Sequence, residues 1–458
     1  MSVIFAERAL LPDGWAANVT VEISADGRIA RVRGDARPES ANPAYSTRVP
    51  VLVPAACNLH SHTFQRAMAG LAERRGPTGR DSFWTWREIM YRFLDVLTPD
   101  EIEAVAAQAF IEMMEAGFCA VAEFHYLHHQ PGGAPYNDIG ELAQRIAAAA
   151  SQTGIGMTLL PVYYQRGGVD DRPLAGGQLR FGNDLDRFAR LLERSEKIAA
   201  TLPADTRTGV APHSLRAASP DDIARLASLR AERPFHIHAA EQEIEVAEVK
   251  AAYGARPVEL LIERCGVGPR WCLIHTTHMT PDETARLAGS GAVAGLCPVT
   301  EANLGDGIFD GANYVAAGGR LGVGSDSNIR ITIAEELRQL EYSQRLRDRA
   351  RVVMAGPDQS AGRALYDRVL AGGAQALGRD SGAIATGKWA DLVALTAGEM
   401  SAFAGPDLVL DEWVFTGGSR VTDVWAAGRH MVRQGSHVSA QKVRRRYDAV
   451  LAAVGERL

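Results

Sequence analysis

The chain has 458 residues, 46% hydrophobic and 23% charged, with a formal net charge of -6; it exceeds one ordinary domain and can bury a large core. The acidic balance and the lack of a Lys/Arg-rich tract argue against a nucleic-acid surface. Charges interrupt every long apolar run and no basic region precedes a sustained apolar stretch at the N-terminus, so neither a membrane span nor a signal peptide is expected.

Residues 1–50 alternate apolar and polar positions, as in 17–23, and turn at Ala25-Asp26-Gly27-Arg28, which predicts hairpins. Matching stretches at 387–395, 421–425 and 428–432 predict a small β-sandwich domain built from both termini, 1–50 and 384–458, with a terminal helix. Between them, 51–383 cycles through short apolar strands and longer amphipathic helices. Strand patterns fall at 49–53, 119–123, 157–162, 209–212, 235–238, 271–275, 293–297 and 321–324, and helical ones include 99–116, 139–151, 185–200, 220–230 and 281–288. Eight strands alternating with helices predict an α/β fold, a (β/α)8 TIM-type barrel. No glycine-rich phosphate motif follows the first strand, which argues against a dinucleotide-binding sheet.

The five cysteines, Cys57, Cys119, Cys265, Cys272 and Cys297, are scattered without CxxC spacing, as small buried hydrophobes in a reducing cytoplasm are.

A barrel carries its functional groups just past the C-terminal ends of its strands. At those places lie His60 and His62, His125 and Tyr126, His213 and Arg216, His238 and Glu241, His275, Glu301 and Asn303, and Asp326. His60 and His62, one residue apart on extended backbone, share a side and can reach one cation at about 2.0–2.1 Å. Alone, the pair is equally a polar strand end. His236 and His238 also share a face; His238, nearer the strand end, is the expected ligand, with His236 packed deeper. Glu241, three residues on, is placed for proton shuttling, although alone it reads as a start-of-helix acid. Asp326 alone would be an N-cap. With three histidines it completes a His3Asp set suited to one Zn2+ or a similar divalent ion. The only lysines, Lys197, Lys250, Lys388 and Lys442, end no strand, so a carbamylated lysine bridging two metals is not expected. His275 directly ends the sixth strand; His278 reads as a helix-start or loop residue, and His128 and His129 as supporting or surface histidines.

The segments NLHSHTFQRAMAGLAE, DSFWTWREIMYRF, AVAEFHYLHH, HSLRA, HIHAAEQ, WCLIHTTH, GLCPVTEANLGDGIF and GVGSDS together resemble the amidohydrolase superfamily and, within it, the formimidoylglutamate deiminase family of bacterial histidine degradation. The resemblance covers nearly the whole chain, and it implies a metal-dependent hydrolase barrel. It implies His60, His62, His238 and Asp326 as zinc ligands, and Glu241 and His275 as catalytic groups, with either Glu241 or Asp326 the first proton acceptor. It implies Gln65, Arg87, Tyr126, His213 and Arg216 as substrate contacts. It assigns no role to the loop 165–180 or to 328–330.

The activity implied is zinc-dependent hydrolysis of N-formimino-L-glutamate to N-formyl-L-glutamate and ammonia, by a cytoplasmic homodimer without nucleic-acid or membrane partners. Arg87 and Arg216 are of the type that grips the carboxylates of such a substrate; the plainer reading makes Arg87 a surface helix residue and Arg216 a loop counter-ion. One alternative is another mononuclear aminohydrolase, of a purine-like ring or of a different N-formimino amino acid. A second is a non-catalytic barrel with a structural metal.

Overall fold

In the computed structural model, which describes residues 2–35, 47–75, 82–398 and 405–458, the alternating ends of the chain meet in one sheet. Asp81, the first residue of the tryptophan-rich motif, lies outside the described residues. The sheet is a continuous run of eight strands. Its keystone is Thr47–Pro54, which pairs in parallel with Ser2–Leu11 and antiparallel with Leu392–Leu395, joining the N-terminal hairpins to the C-terminal strands. Period-two alternation divides its side chains. Ile4, Val21, Leu52 and Leu392 build a core private to the sheet, whereas Val51, Val53, Val393 and Val424 join the core of the barrel.

The apolar run 49–53, expected as the first barrel strand, therefore belongs to the terminal sheet. Burial on both faces explains why it reads like a barrel strand. The barrel begins at β1 (Ala56–Ser61), followed by β2 (Phe118–His125), β3 (Gly156–Tyr163) and a broken β4 (Arg207–Thr208 and Ala211–Pro212). Then come β5 (Phe235–Ala239), β6 (Trp271–His275), β7 (Val293–Leu296) and β8 (Arg320–Val323). All neighbouring pairs are parallel.

Two seams made of single bridges close the ring: Val210 to Phe235 and Ser214 to His238 between β4 and β5, and Ser61 to Asp326 between β8 and β1. At the second seam a Cβ on Gly324 would lie 2.6 Å from the His60 carbonyl oxygen, so glycine there lets the two strand ends meet.

Lys197, Lys250 and Lys442 lie in helices and Lys388 in a bend, so no lysine ends a barrel strand. Among the described residues no helix is long and apolar enough to cross a membrane.

Candidate metal centre and active site

The β8–β1 seam also gathers a tight group of polar side chains. The His60 amide donates to Asn58 Oδ1 at 3.3 Å, while the Asp326 amide donates to the His60 carbonyl and the His62 amide to the Asp326 carbonyl, both at 3.0 Å. This pairing sets the two histidines opposite the aspartate. His60 Nε2 is 3.1 Å from both His62 Nε2 and His238 Nε2, and Asp326 Oδ1 is 3.4 and 3.3 Å from the Nε2 atoms of His60 and His62. Edges of that length are those of a tetrahedron whose corners lie about 2.0–2.1 Å from its centre, the bond length of zinc to imidazole or carboxylate.

The protonation pattern fits the same use. His62 and His238 donate Nδ1–H to the carbonyls of Phe124 (3.0 Å) and His213 (2.8 Å), which turns each Nε2 lone pair toward the cluster. Burial holds all three imidazoles below their usual range, His60 at about 3, so they are neutral at pH 7. Burial pushes the Asp326 carboxyl up, but the His60 hydrogen bond and the surrounding imidazoles more than reverse this. Three lone pairs and one anion converging on a point, with almost no solvent, are what a divalent cation needs. His236 instead reaches the Ala376 carbonyl at 2.8 Å, so His238 is the cluster's member, as expected.

Beyond the cluster lies a cleft. His62, His238 and Asp326 line it together with Gln65, Arg87, Tyr126, His213, Arg216, Glu241 and His275; His60 is fully buried beneath. Thus the expected site residues converge from β1, β2, β4, β5, β6 and β8.

Glu241 uses one oxygen to accept from Arg216 Nη2 at 2.8 Å, while the other lies 3.9 Å from His275 Nε2. His275 Nε2 is also 3.9 Å from Asp326 Oδ2, and its Nδ1 is 3.3 Å from Glu301. Burial alone would lower His275, but Glu241, Glu301 and Asp326 outweigh it and raise it to about 10. A cation in the adjacent cluster opposes that rise.

Gln65 Nε2 donates to the Tyr126 hydroxyl at 2.8 Å, leaving Gln65 Oε1 buried without a partner in the cleft wall. Arg87 lies 4.5 Å over the Trp84 ring on helix Phe83–Val96. His213, kept neutral by burial and by Arg216, presents its ring to Tyr164.

Other residues named from the sequence lie outside the cleft lining. His128 and His129 are buried, supporting histidines and not surface ones, and donate Nε2–H to the carbonyls of Val162 and Gly182. Asn303 is exposed and donates to Glu73, away from the cleft. His278 is a loop residue bound to the Asp306 carbonyl.

Other residues carry roles that spacing alone had not assigned. Glu301 anchors His275. Asn328 donates to Ser61 Oγ and to the carbonyls of His62 and Asp326, each at 3.1 Å, and so ties β8 to β1 under the cluster. In the loop 165–180, Arg180 donates to the carbonyls of His129 and Leu97, bracing the helix that carries Arg87. Backbone torsion is a further pointer. Ala240, His275, Thr276, Asp326 and Asn328 all have positive φ, between 43° and 69°, and all stand at strand ends around the cleft. Such strain persists where surrounding structure fixes a working geometry.

The model of the amidohydrolase family matches residues 51–431, and that of the formimidoylglutamate deiminase HutF N-terminal domain matches residues 1–43. The chain is 51% identical over 456 residues to the formimidoylglutamate deiminase of Pseudomonas aeruginosa, covering 98% of this chain and 99% of that one. It resembles a solved amidohydrolase from Brucella melitensis with a TM-score of 0.95 and 49% identity, over 99% of this chain and 100% of that one. An adenosine deaminase from Xanthomonas campestris with bound zinc shares the fold, with a TM-score of 0.78 at 22% identity and 98% of each chain covered. With its family model spanning the whole barrel and a relative alike from end to end, the chain belongs to the amidohydrolase family.

Proposed function

We propose that the chain hydrolyses N-formimino-L-glutamate to N-formyl-L-glutamate and ammonia, using one zinc ion held by His60, His62, His238 and Asp326. The observation that carries this reading is Arg216. Its Nη2 holds Glu241 while its Nε is buried without a partner, so one guanidinium can take a substrate carboxylate and fix the proton-transfer group together. Arg87 supplies a second cation in the same cleft, which suits a dicarboxylate. The aromatic walls, Trp84, Tyr91, Tyr164 and Phe181 among them, would accept a flat ring, but two arginines favour the dianion.

The ion, when bound, supplies Lewis acidity and lowers the pKa of water toward neutrality. Glu241, with one oxygen fixed by Arg216, has the other free to take a proton from the attacking water. His275 stands between Glu241 and Asp326, anchored by Glu301, and its charge stabilises the tetrahedral intermediate as water adds to the formimino carbon. Glu241 then returns the proton to the nitrogen of the amidinium-derived intermediate, the C–N bond breaks as the added hydroxyl gives up its proton to solvent, and ammonia leaves with the formyl group retained on glutamate.

Finer parts of the proposal are a homodimer and a cytoplasmic setting in histidine degradation. The family resemblance supports the dimer; the five cysteines, all buried and unpaired, support a reducing compartment.

The test is ammonia release by the zinc-loaded chain from N-formimino-L-glutamate, with N-formimino-L-aspartate and a purine alongside. Release from the glutamate compound alone is expected; none, with zinc bound, would overturn the proposal. Arginine variants extend the test. Arg87→Met removes a charge-assisted hydrogen bond worth about 1.5–3 kcal/mol, which raises KM roughly 10- to 100-fold with little change in kcat. Arg216→Met lowers kcat as well, because Glu241 loses its anchor. Equal kcat and KM effects in both variants would separate neither role and contradict the assignment.

A further inference from the structure

The acid that anchors His275 belongs to a second group of donors, on the far side of that ring from Glu241. His275 Nδ1, the Cys297 thiol and a Glu301 oxygen, all buried, lie within 4.8 Å of one another. The nitrogen and the carboxylate oxygen are already 3.3 Å apart, the edge of a tetrahedral site with bonds of about 2.0–2.1 Å. Helix Pro298–Leu304 makes the juxtaposition: Cys297 caps its start, and the Cys297 amide donates to Glu301 Oε1 at 2.8 Å, which folds the carboxylate back toward the thiol. The sequence segment Cys297-Pro298-Val299-Thr300-Glu301 thus supplies sulfur and oxygen four residues apart, and the adjacent strand β6 supplies nitrogen.

We propose that His275, Cys297 and Glu301 form a second cation site, for a soft divalent ion such as cadmium or zinc in excess, whose occupation stops turnover. A thiolate with an imidazole and a carboxylate is a donor set that selects soft and borderline ions over magnesium or calcium. The ion replaces the thiol proton and any proton on Nδ1, both released to solvent, without redox change. Glu301 also lines a neighbouring cleft with Pro298 and Phe309, which gives the ion a way in. Once bound, the ion takes the Nδ1 lone pair and displaces the proton there, so the ring keeps its proton on Nε2 but can no longer be the imidazolium that Glu301 anchors beside Glu241. The binding stands on the donor geometry alone, whereas the loss of turnover rests on the catalytic reading of His275.

The test titrates Cd2+ into the zinc-loaded enzyme while recording the ultraviolet charge-transfer band of a cadmium thiolate and the rate of ammonia release. The band is expected to saturate as turnover disappears. Cys297→Ser keeps basal turnover, loses the band, and needs roughly tenfold more Cd2+ or higher for the same inhibition, since a hydroxyl is a poor ligand for a soft ion. Cys297→Ala serves as the second variant if the serine protein fails to fold. A band that survives in both variants, or never forms in the parent, overturns the site. Unchanged sensitivity in the variants overturns it as well, since Cd2+ then acts by displacing the first ion. A Cys297-dependent band without inhibition keeps the site and overturns the catalytic reading of His275.

Discussion

Glu241→Gln is expected to lower kcat by about 10²- to 10⁴-fold while leaving the cation content of the protein unchanged. Glu241 is not among the four residues whose donor atoms converge in the metal cluster, so its carboxylate is dispensable for holding the ion. The amide oxygen of glutamine can still accept from Arg216 Nη2, which keeps the side chain and the arginine in place. What is lost is the basic oxygen facing His275, and with it the proton relay to the leaving nitrogen. Of the two carboxylates, Glu241 is the one that can be tested without touching the metal cluster. Asp326 commits Oδ1 to the neighbourhood of His60 and His62, and replacing it would disturb the cluster itself, whereas Glu241 can be neutralised alone. Metal analysis beside steady-state ammonia release makes the measurement. Full turnover with the ion retained would remove Glu241 from the chemistry; lost turnover with the ion also lost would make it a structural residue of the centre.

The parts of this site that were legible in the sequence are those set by local periodicity. Two histidines at a spacing of two must share a side of a strand, and His238 ends β5 where His236 does not; both statements need only the strand's own repeat. The barrel rule then places Glu241, His275 and Asp326 at one mouth without any knowledge of their distances. What stayed hidden depends on contacts between elements. Thr47–Pro54 reads as a barrel strand because both its faces are buried, and only its pairing with Ser2–Leu11 and Leu392–Leu395 reveals a different sheet. Glu301 has the position of an ordinary helix-start acid until β6 brings His275 against it. Asn328 left a trace that could have been used, since asparagine tolerates the left-handed backbone it adopts with φ 55°. Its three donations across the β8–β1 seam have no signature in spacing. The loop 165–180 is similar: Arg180 is fully buried, a rare fate for arginine that composition cannot announce.

Arg379→Met is expected to destabilise the fold by about 3–5 kcal/mol while leaving the activity of each folded molecule unchanged. Arg379 is buried at the N-terminal side of the barrel, beside the start of β3 and away from the cleft; a Cβ on Gly156 would lie 2.7 Å from its Nη1. There it donates to Asp391 through Nε and Nη2, at 2.6 and 2.9 Å, and to Asp205 through Nη2 at 2.9 Å. Asp391 immediately precedes a strand of the terminal sheet, and Asp205 lies in the barrel just before β4, so the guanidinium is a clasp between the two layers. Arg429 of the sheet adds a second pair of bonds to Asp205, at 2.8 and 2.7 Å. Methionine matches much of the side chain's volume but strands Asp391, whose remaining donor is the Ala427 amide at 2.7 Å, as a buried anion without a counter-charge. The cost is that of the unpaired charge and greatly exceeds the lost packing. Acid sensitivity gives the direction independently. Burial raises the Asp205 carboxyl, but the Arg429 hydrogen bond and the charges of Arg379 and Arg429 bring it below its usual value. A carboxyl depressed in the folded state contributes stability above its unfolded pKa and loses it as pH falls through the folded one. Removing Arg379 lifts that folded pKa, so the variant unfolds at a higher pH than the parent as well as at a lower denaturant concentration. Equal acid and denaturant midpoints in the two proteins would mean that the sheet is held on the barrel by its apolar face alone, through Val51, Val53 and Val393.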